Sequence, residues 1–521
     1  MNTLPLPQRA TLPAALLCAC LLGSASQAQI LLNADFDHGS LDESSSSAVG
    51  SFVQLAGRDN FNPGQWKWLY FSADNVQGVT PTFQIDDNFV TGGGNLNAHE
   101  MVYSYDQDNW FFFDNNNRNA AADTFTFSNN AAFTQNRVYV AYGLPYSIDR
   151  VTSHTNSIAA SPWVSPTVTG AGDLVVGQSP GGVDDIGRVI PQQDLFGYKI
   201  TDPGSTVTNK AKIALLGGVH SNETLGNHTL EAMVDYLLSD SLDAALLRRR
   251  AEFYVYPMAN PDGRLAGYNR STVEEPNLDP NRFWVPPNYG GLSDIQAVGD
   301  AIIADTGADV DFFIDFHSTV QKDTSHFGFV DVDRNFHLNP FWQRLLELEP
   351  TIETFDASLI NDTAAKFGLF ELGAGFTMTF ETRFIAGENE DRFVTLGQNF
   401  GQAFADILAT PFGDLDFNGV VNAADYALLA QNAETDTAGL SVIDAYGVGD
   451  LNQDGVNDVL DFGLFKDAFN DANGLGSFAL MLAGVPEPSS GVLALLLILP
   501  AATRLRLGYR NTPNHTCDLA R

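Results

Sequence analysis

The chain has 521 residues, of which 44% are hydrophobic and 17% charged, with 63 Asp and Glu against 27 Lys and Arg and a formal net charge of -36. The apolar content excludes a wholly disordered polyelectrolyte, and the length allows about three or four domains. So acidic a surface repels phosphate backbones, which argues against nucleic acid as a partner and against a basic membrane-surface patch.

The N-terminal segment reads as an address. Arg9 precedes an apolar stretch, Leu12 to Leu22, and then Gly23-Ser24-Ala25-Ser26-Gln27-Ala28. Charge, apolar core and small residues in that order predict a secretory signal over 1–28, cut after Ala28. A membrane span would need about 20 apolar residues. Leu17-Cys18-Ala19-Cys20 fits a lipoprotein cleavage box only loosely, because apolar residues continue beyond it. Cys18 and Cys20 leave with the signal and only Cys517 remains, so no intrachain disulfide is expected.

Residues 29–170 are rich in Asn, Asp, Phe, Ser and Thr. Short β-type runs, such as Trp66-Lys67-Trp68-Leu69-Tyr70-Phe71 and Arg137-Val138-Tyr139-Val140-Ala141-Tyr142, are separated by Asn/Asp/Gly clusters. This pattern predicts an all-β sandwich. Over 171–410 strands alternate with helical periodicity, the sign of an α/β domain.

That segment opens with a false lead. Gly177-Gln178-Ser179-Pro180-Gly181 fits G-x-S-x-G. A nucleophile elbow draws its oxyanion hole from the N–H of the residue after Ser, and Pro180 has none.

A stronger pattern follows. The apolar strand Ile213 to Val219 ends at His220-Ser221-Asn222-Glu223, and a helix follows with Leu230, Val234, Leu237 and Leu238 on one face. His220 and Glu223 therefore sit at the carboxyl edge of a sheet, where open α/β folds bind ligands. A second strand, Val310 to Phe316, delivers His317. Two His and one Glu leave a fourth zinc position for water, the pattern of a catalytic site. No H-E-x-x-H occurs in the chain, which excludes the metalloprotease type with both His on one helix.

Between and after these lie Asn260-Pro261-Asp262-Gly263, Asn277-Leu278-Asp279-Pro280-Asn281-Arg282-Phe283, and the strand Phe376-Thr377-Met378-Thr379-Phe380 ending on Glu381. In that order the motifs resemble the zinc carboxypeptidase family. Upstream, the Trp68 to Phe71 run, Tyr103-Ser104-Tyr105, Trp110 and Ala141 to Tyr146 resemble the β-sandwich that precedes the peptidase in cytosolic-type carboxypeptidases. The resemblance implies a mixed sheet flanked by helices. It makes His220, Glu223 and His317 zinc ligands and Glu381 the general base. Arg270 becomes the oxyanion residue, with Arg264 in the same loop as its rival. Asn281 and Arg282 become the clamp for a terminal carboxylate. It further implies that a residue about fifteen positions before the base lines the side-chain pocket, which is Lys366 here and would favour acidic C-terminal residues. Two features depart from the family pattern: Pro280 replaces the usual Leu, and no Tyr occurs between Phe367 and Phe376.

Residues 411–475 contain a duplicated loop. Asp414, Asp416, Asn418, Val420 and Asp425 recur in register as Asp450, Asn452, Asp454, Val456 and Asp461, with Gly419 and Gly455 at the turn. This is EF-hand calcium spacing, closed by Asp rather than the longer Glu. A calcium loop with one trailing helix, duplicated, resembles a dockerin and implies a cohesin-like partner. Residues 476–521 read as a linker (476–484) followed by Val485-Pro486-Glu487-Pro488, an apolar run from Gly491 to Ala502, and Arg504, Arg506 and Arg510. That tail resembles a PEP-CTERM sorting signal, the alternative being an ordinary C-terminal anchor.

The sequence thus predicts a secreted or surface-held protein of a Gram-negative-type bacterium, a zinc metallocarboxypeptidase acting on peptide or protein C-termini. Two other readings remain: an amidase or deacylase on the same fold, and a non-catalytic cell-surface binding protein, which would have no need of three ligands and a base.

Overall fold

A computed structural model describes residues 28–59, 68–87, 95–97, 99–319, 325–357, 362–383 and 388–484. The predicted signal up to residue 27 and the sorting motif from residue 485 lie outside the described residues, as do Trp66 and Lys67. All three cysteines, Cys18, Cys20 and Cys517, lie outside them too. Among the described residues no helix is long and apolar enough to cross a membrane. The chain divides into two compact units at Thr410/Pro411.

The first unit opens with two five-stranded sheets. One runs in the order Leu31–Asn33, Tyr70–Asp74, Arg137–Ala141, Val102–Ser104, Trp110–Phe112, antiparallel throughout. The other contains Ser47–Val49, Phe52–Gln54, Thr82–Asp86, Thr124–Ser128 and Asn115–Asn119. Alternation along Thr124–Ser128 buries Phe125 and Phe127 and leaves the residues between them half-buried, as a strand facing a core on one side must. Phe71 of the first sheet meets Phe83 of the second edge-on at 5.8 Å, and both are fully buried. A shared apolar core thus joins the sheets face to face.

The rest of the unit is built on an eight-stranded mixed sheet. Its strands are β1 (Val164–Pro166), β2 (Tyr198–Ile200), β3 (Ala211–Gly217), β4 (Ala251–Tyr256), β5 (Phe312–Thr319), β6 (Phe327–Val330), β7 (Glu353–Asp356) and β8 (Phe376–Arg383). They lie in the order β1-β2-β4-β3-β5-β8-β6-β7. The centre, β4-β3-β5-β8, is parallel, and antiparallel pairs flank it.

From Ile213 onward β3 is buried on both faces and reads as a continuous apolar run, as central parallel strands do. Its Ile213 and Leu215 join one core with helices Thr224–Leu238, Pro340–Leu348 and Glu390–Leu408; its Ala214 and Leu216 join another with Ser293–Thr306 and Ala364–Phe370. A three-layer α/β/α arrangement results. Ser179 of the G-x-S-x-G stretch is fully buried and donates to Asp262 Oδ1 at 2.5 Å, a structural tie rather than an exposed nucleophile.

The second unit carries helices Ala423–Gln431, Val442–Gly447, Val459–Asn473 and Ser477–Gly484. The last corrects the expectation of a linker over 476–484. Phe478 is 3% exposed and packs on Phe465 and Phe469, so it holds this segment onto the preceding helix.

Candidate metal centre and active site

The parallel strands bring the predicted ligands to one edge. β3 ends at Gly217, and the short loop that follows carries His220 to Glu223, which caps helix Thr224–Leu238. The Glu223 carboxylate makes no helix-cap hydrogen bond. It turns instead to the two histidines: Oε1 lies 2.9 Å from His220 Nδ1 and Oε2 2.7 Å from His317 Nδ1. Gly226 permits this approach, because a Cβ there would sit 2.7 Å from the His317 carbonyl oxygen. Both histidines and Glu223 are buried.

The fit to zinc rests on these atoms. The two Nδ1 atoms are 3.1 Å apart, and Glu223 reaches both rings. Tetrahedral zinc with bonds near 2.0–2.1 Å sets its nitrogen ligands about 3.3 Å apart. The remaining ring nitrogens are held by carboxylates: His317 Nε2 lies 2.6 Å from Asp315 and His220 Nε2 2.9 Å from Asp279. Carboxylates behind the rings orient metal-ligating imidazoles.

Burial alone would raise the Glu223 carboxyl, but the charges and hydrogen bonds of His220 and His317 hold it well below the usual carboxylate range. Burial would likewise lower His317, yet Asp315 and Glu223 carry it well above its ordinary value. The donor set therefore fits a divalent cation.

Glu381 stands beside the ligands. In the parallel pairing of β5 and β8, His317 and Glu381 are register partners. Glu381 Oε2 is shielded from solvent and meets no donor among the described residues. Burial first, then the negative charge of Glu223, pushes its carboxyl up to about 8. It lines a cavity of about 250 Å³ together with His220, His317, Arg270, Asn281 and Arg282.

The two candidate arginines part company. Arg270 Nη1 donates to Glu223 at 2.9 Å and Nη2 to Asp279 at 3.2 Å, within the cavity wall. Arg264 is fully buried away from it and donates to the Tyr146 carbonyl at 2.6 Å and to Asn227 Oδ1 at 2.8 Å. Asn281 is partly committed already, its Nδ2 3.2 Å from His317 Nε2 and its Oδ1 accepting from Ala364 N at 2.8 Å. Arg282 keeps 42% of its side chain exposed, with Nη1 donating to the Asn281 carbonyl.

Lys366 departs from expectation. Thr363 and Ala365 line the cavity, whereas Lys366 is not among its lining residues and donates to Asp362 at 2.9 Å, one helical turn away. Loop length between helix and strand shifts which residue faces the cavity, so a fixed count back from Glu381 misses it. Asp315 and Asp279 were given no role from the sequence. Asp315 had a signal, since residues two apart on a strand share a face and D-x-H therefore places a carboxylate behind the imidazole.

Residues 181–320 match the zinc carboxypeptidase family, and residues 32–142 match the cytosolic carboxypeptidase N-terminal domain. The chain carries a zinc carboxypeptidase domain.

The first match contains His220, Glu223, Arg270, Asn281, Arg282 and His317; Glu381 lies beyond its end. Mouse cytosolic carboxypeptidase 6 is 25% identical over 247 residues, which cover 43% of this chain and 45% of the mouse protein. Cytosolic carboxypeptidase 2 of Xenopus tropicalis is 36% identical over 97 residues, 18% of this chain and 10% of that protein. The chain thus spans less than half the length of these relatives. Among solved structures, a metallo-carboxypeptidase from Burkholderia cenocepacia superposes with a TM-score of 0.59 at 19% identity, covering 73% of this chain and 98% of that one. A metallo-carboxypeptidase from Pseudomonas aeruginosa gives 0.56 at 20% identity over 72% and 98%. These likenesses place the carboxypeptidase domain and the sandwich before it in one shared fold.

Proposed function

We propose that this chain is a secreted zinc-dependent metallocarboxypeptidase that removes residues from peptide or protein C-termini. The observation that carries the reading is the convergence of three metal donors, two of them lining the cavity, beside Glu381, whose Oε2 is buried and meets no donor among the described residues. Zinc held by His220, Glu223 and His317 would supply Lewis acidity, lowering the pKa of a water towards neutrality and polarising the scissile carbonyl.

The chain's own groups supply the rest. Glu381 takes the proton of the attacking water and returns it to the leaving amine, a task suited to a carboxyl raised towards neutrality. Arg270 places its guanidinium where negative charge develops on the carbonyl oxygen. Arg282, half exposed at the cavity wall, receives the substrate's terminal carboxylate, for which its planar fork is shaped. Asn281 supports that wall.

In the second unit, each loop gathers three carboxylates whose oxygens lie within 4.8 Å of one another: Asp414, Asp416 and Asp425, then Asp450, Asp454 and Asp461. We assign them to calcium, with Asn418, Asn452 and the carbonyls of Val420 and Val456 completing the shells. A cohesin-like partner, secretion through residues 1–28 and sorting through the C-terminal segment belong to the same reading.

Mass spectrometry of a peptide library incubated with the zinc-loaded protein tests the activity. Loss of single C-terminal residues is expected, and amidating the C-terminus should abolish it by removing the carboxylate partner of Arg282. Cleavage of amidated peptides at an unchanged rate would overturn the exopeptidase reading, and release of N-acyl groups alone would favour the deacylase.

A further inference from the structure

Arg58 belongs to the N-terminal sandwich, yet its side chain is only 4% exposed and reaches into the carboxypeptidase domain. Its Nη1 donates to the Ala266 carbonyl at 2.6 Å. Its Nη2 pairs with Asp184 at 3.0 Å and also meets Asp185. The guanidinium lies over the Tyr268 ring, 5.4 Å from its centroid, while the Asp185 N–H donates to the Tyr268 hydroxyl. Arg188 reinforces the grip, donating to the same Ala266 carbonyl at 2.7 Å and pairing with Asp184 at 2.8 Å.

Segment 266–269 is held equally firmly from the other side. Ser221 Oγ donates to the Tyr268 carbonyl at 3.0 Å, and Asn222 N to the Asn269 carbonyl at 3.1 Å. Ser221 and Asn222 are the two residues between His220 and Glu223. The next residue along the gripped segment is Arg270, which touches Glu223 and Asp279. The sandwich also approaches the loop closely: Gly267 has φ +67, and a Cβ there would lie 2.2 Å from the Gly39 carbonyl oxygen. One short loop therefore joins the sandwich on one side to the metal-ligand loop on the other.

We propose that Arg58 is a positioning residue for catalysis, fixing the 266–270 loop so that Arg270 meets the oxyanion. The inference rests on the role assigned to Arg270 above. A guanidinium held to the planar carbonyl of Ala266, stacked on Tyr268 and paired with Asp184 restricts that loop in more than one direction. Misplacing a catalytic group by about 1 Å can cost on the order of 100-fold in rate; with Arg188 still in place, a loss of about tenfold is expected.

The test is a double-mutant cycle on the full zinc-loaded chain with a peptide bearing a free C-terminal carboxylate. Arg58→Ala should lower kcat about tenfold, leave KM within about twofold and keep one zinc per chain. Backbone hydrogen exchange, followed by mass spectrometry with and without zinc, should rise within 263–270 and stay unchanged in the β3–β5 core. In an Arg270→Ala background, Arg58→Ala should cost nothing further in kcat. If the alanine variant fails to fold, Arg58→Lys, which keeps charge and bulk but not the fork, carries the same cycle with a smaller effect. An equal loss in both backgrounds would overturn the proposal, because Arg58 would then act on general stability. Unchanged kcat with Arg58→Ala, while Arg270→Ala is impaired, would overturn it alone. Unchanged kcat with Arg270→Ala would overturn the role of Arg270 and this proposal together.

Discussion

Glu381 and Asp294 are both carboxyls that burial pushes up to about 8, and they answer to different demands. Glu381 lines the cavity, where the proposed mechanism uses its proton. Glu381→Gln should keep zinc and lose about 10²–10⁴-fold in turnover, checked by metal content and rate on the same sample. His317→Ala should instead lose the zinc, since three protein ligands become two; full occupancy in that variant would remove His317 from the ligand set. Asp294 lies away from the chemistry, in the first turn of helix Ser293–Thr306. Its Oδ1 accepts from Ile295 N at 2.8 Å and its Oδ2 meets no donor among the described residues, which suits a protonated acid. An unfolded Asp ionises above about 3.9, so unfolding releases a proton between that pH and about 8. Stability carried by Asp294 is thus fully present at the acid end of this window and declines as pH rises through it, by at most about 1.4 kcal/mol per pH unit. Asp294→Asn should flatten that slope in denaturant titrations run from pH 5 to 8; an unaltered slope would place the ionisation elsewhere.

The register of β5 against β8 decides the active site at the level of elements. Shifting that pairing by one residue would turn Glu381 to the opposite face from His317. The strands that carry the site and the residues at their ends were legible in the sequence, because parallel strands announce themselves as apolar runs and ligands cluster where they stop; their order across the sheet was not. Lys366 was misplaced because a count along the chain carries no information about where a helix rotates its side chains. The helix at Ser477–Gly484 was passed over as a linker, since one buried Phe478 leaves a weak periodic signal. In the second unit, Asp425 and Asp461 each complete a capping box at a helix start, accepting the N–H groups of Asn422 and Asp458. The same carboxylates close the proposed calcium loops, so an ion bound there would be coupled to the helix start. Saturating calcium at 100-fold over Kd should stabilise this unit by about 2.7 kcal/mol for each loop it fills, seen by calorimetry as a higher transition temperature. Asp414→Ala combined with Asp450→Ala should abolish the shift, and an identical shift in that double variant would assign it to non-specific screening.

At the scale of the whole molecule, the contacts that bind the sandwich to the carboxypeptidase domain join residues far apart in the chain. Arg58 meets Asp184 across 126 residues, and Arg188 Nη1 donates to the Ala34 carbonyl across 154. No local pattern announces such pairs, and the sequence showed two neighbouring domains without showing that they share one compact unit. The described fold also contains no cysteine, and its proposed zinc ligands are nitrogen and oxygen donors. Neither thiol oxidation nor disulfide exchange has anything there to act upon. A chain made without residues 1–28 in a reducing cytosol should therefore melt at the same temperature with and without reductant, and hold zinc equally in both. A clear shift with reductant would implicate Cys517. Among the described residues, then, the fold offers no thiol for an oxidising or a reducing medium to act on, and its proposed zinc site should assemble alike in both.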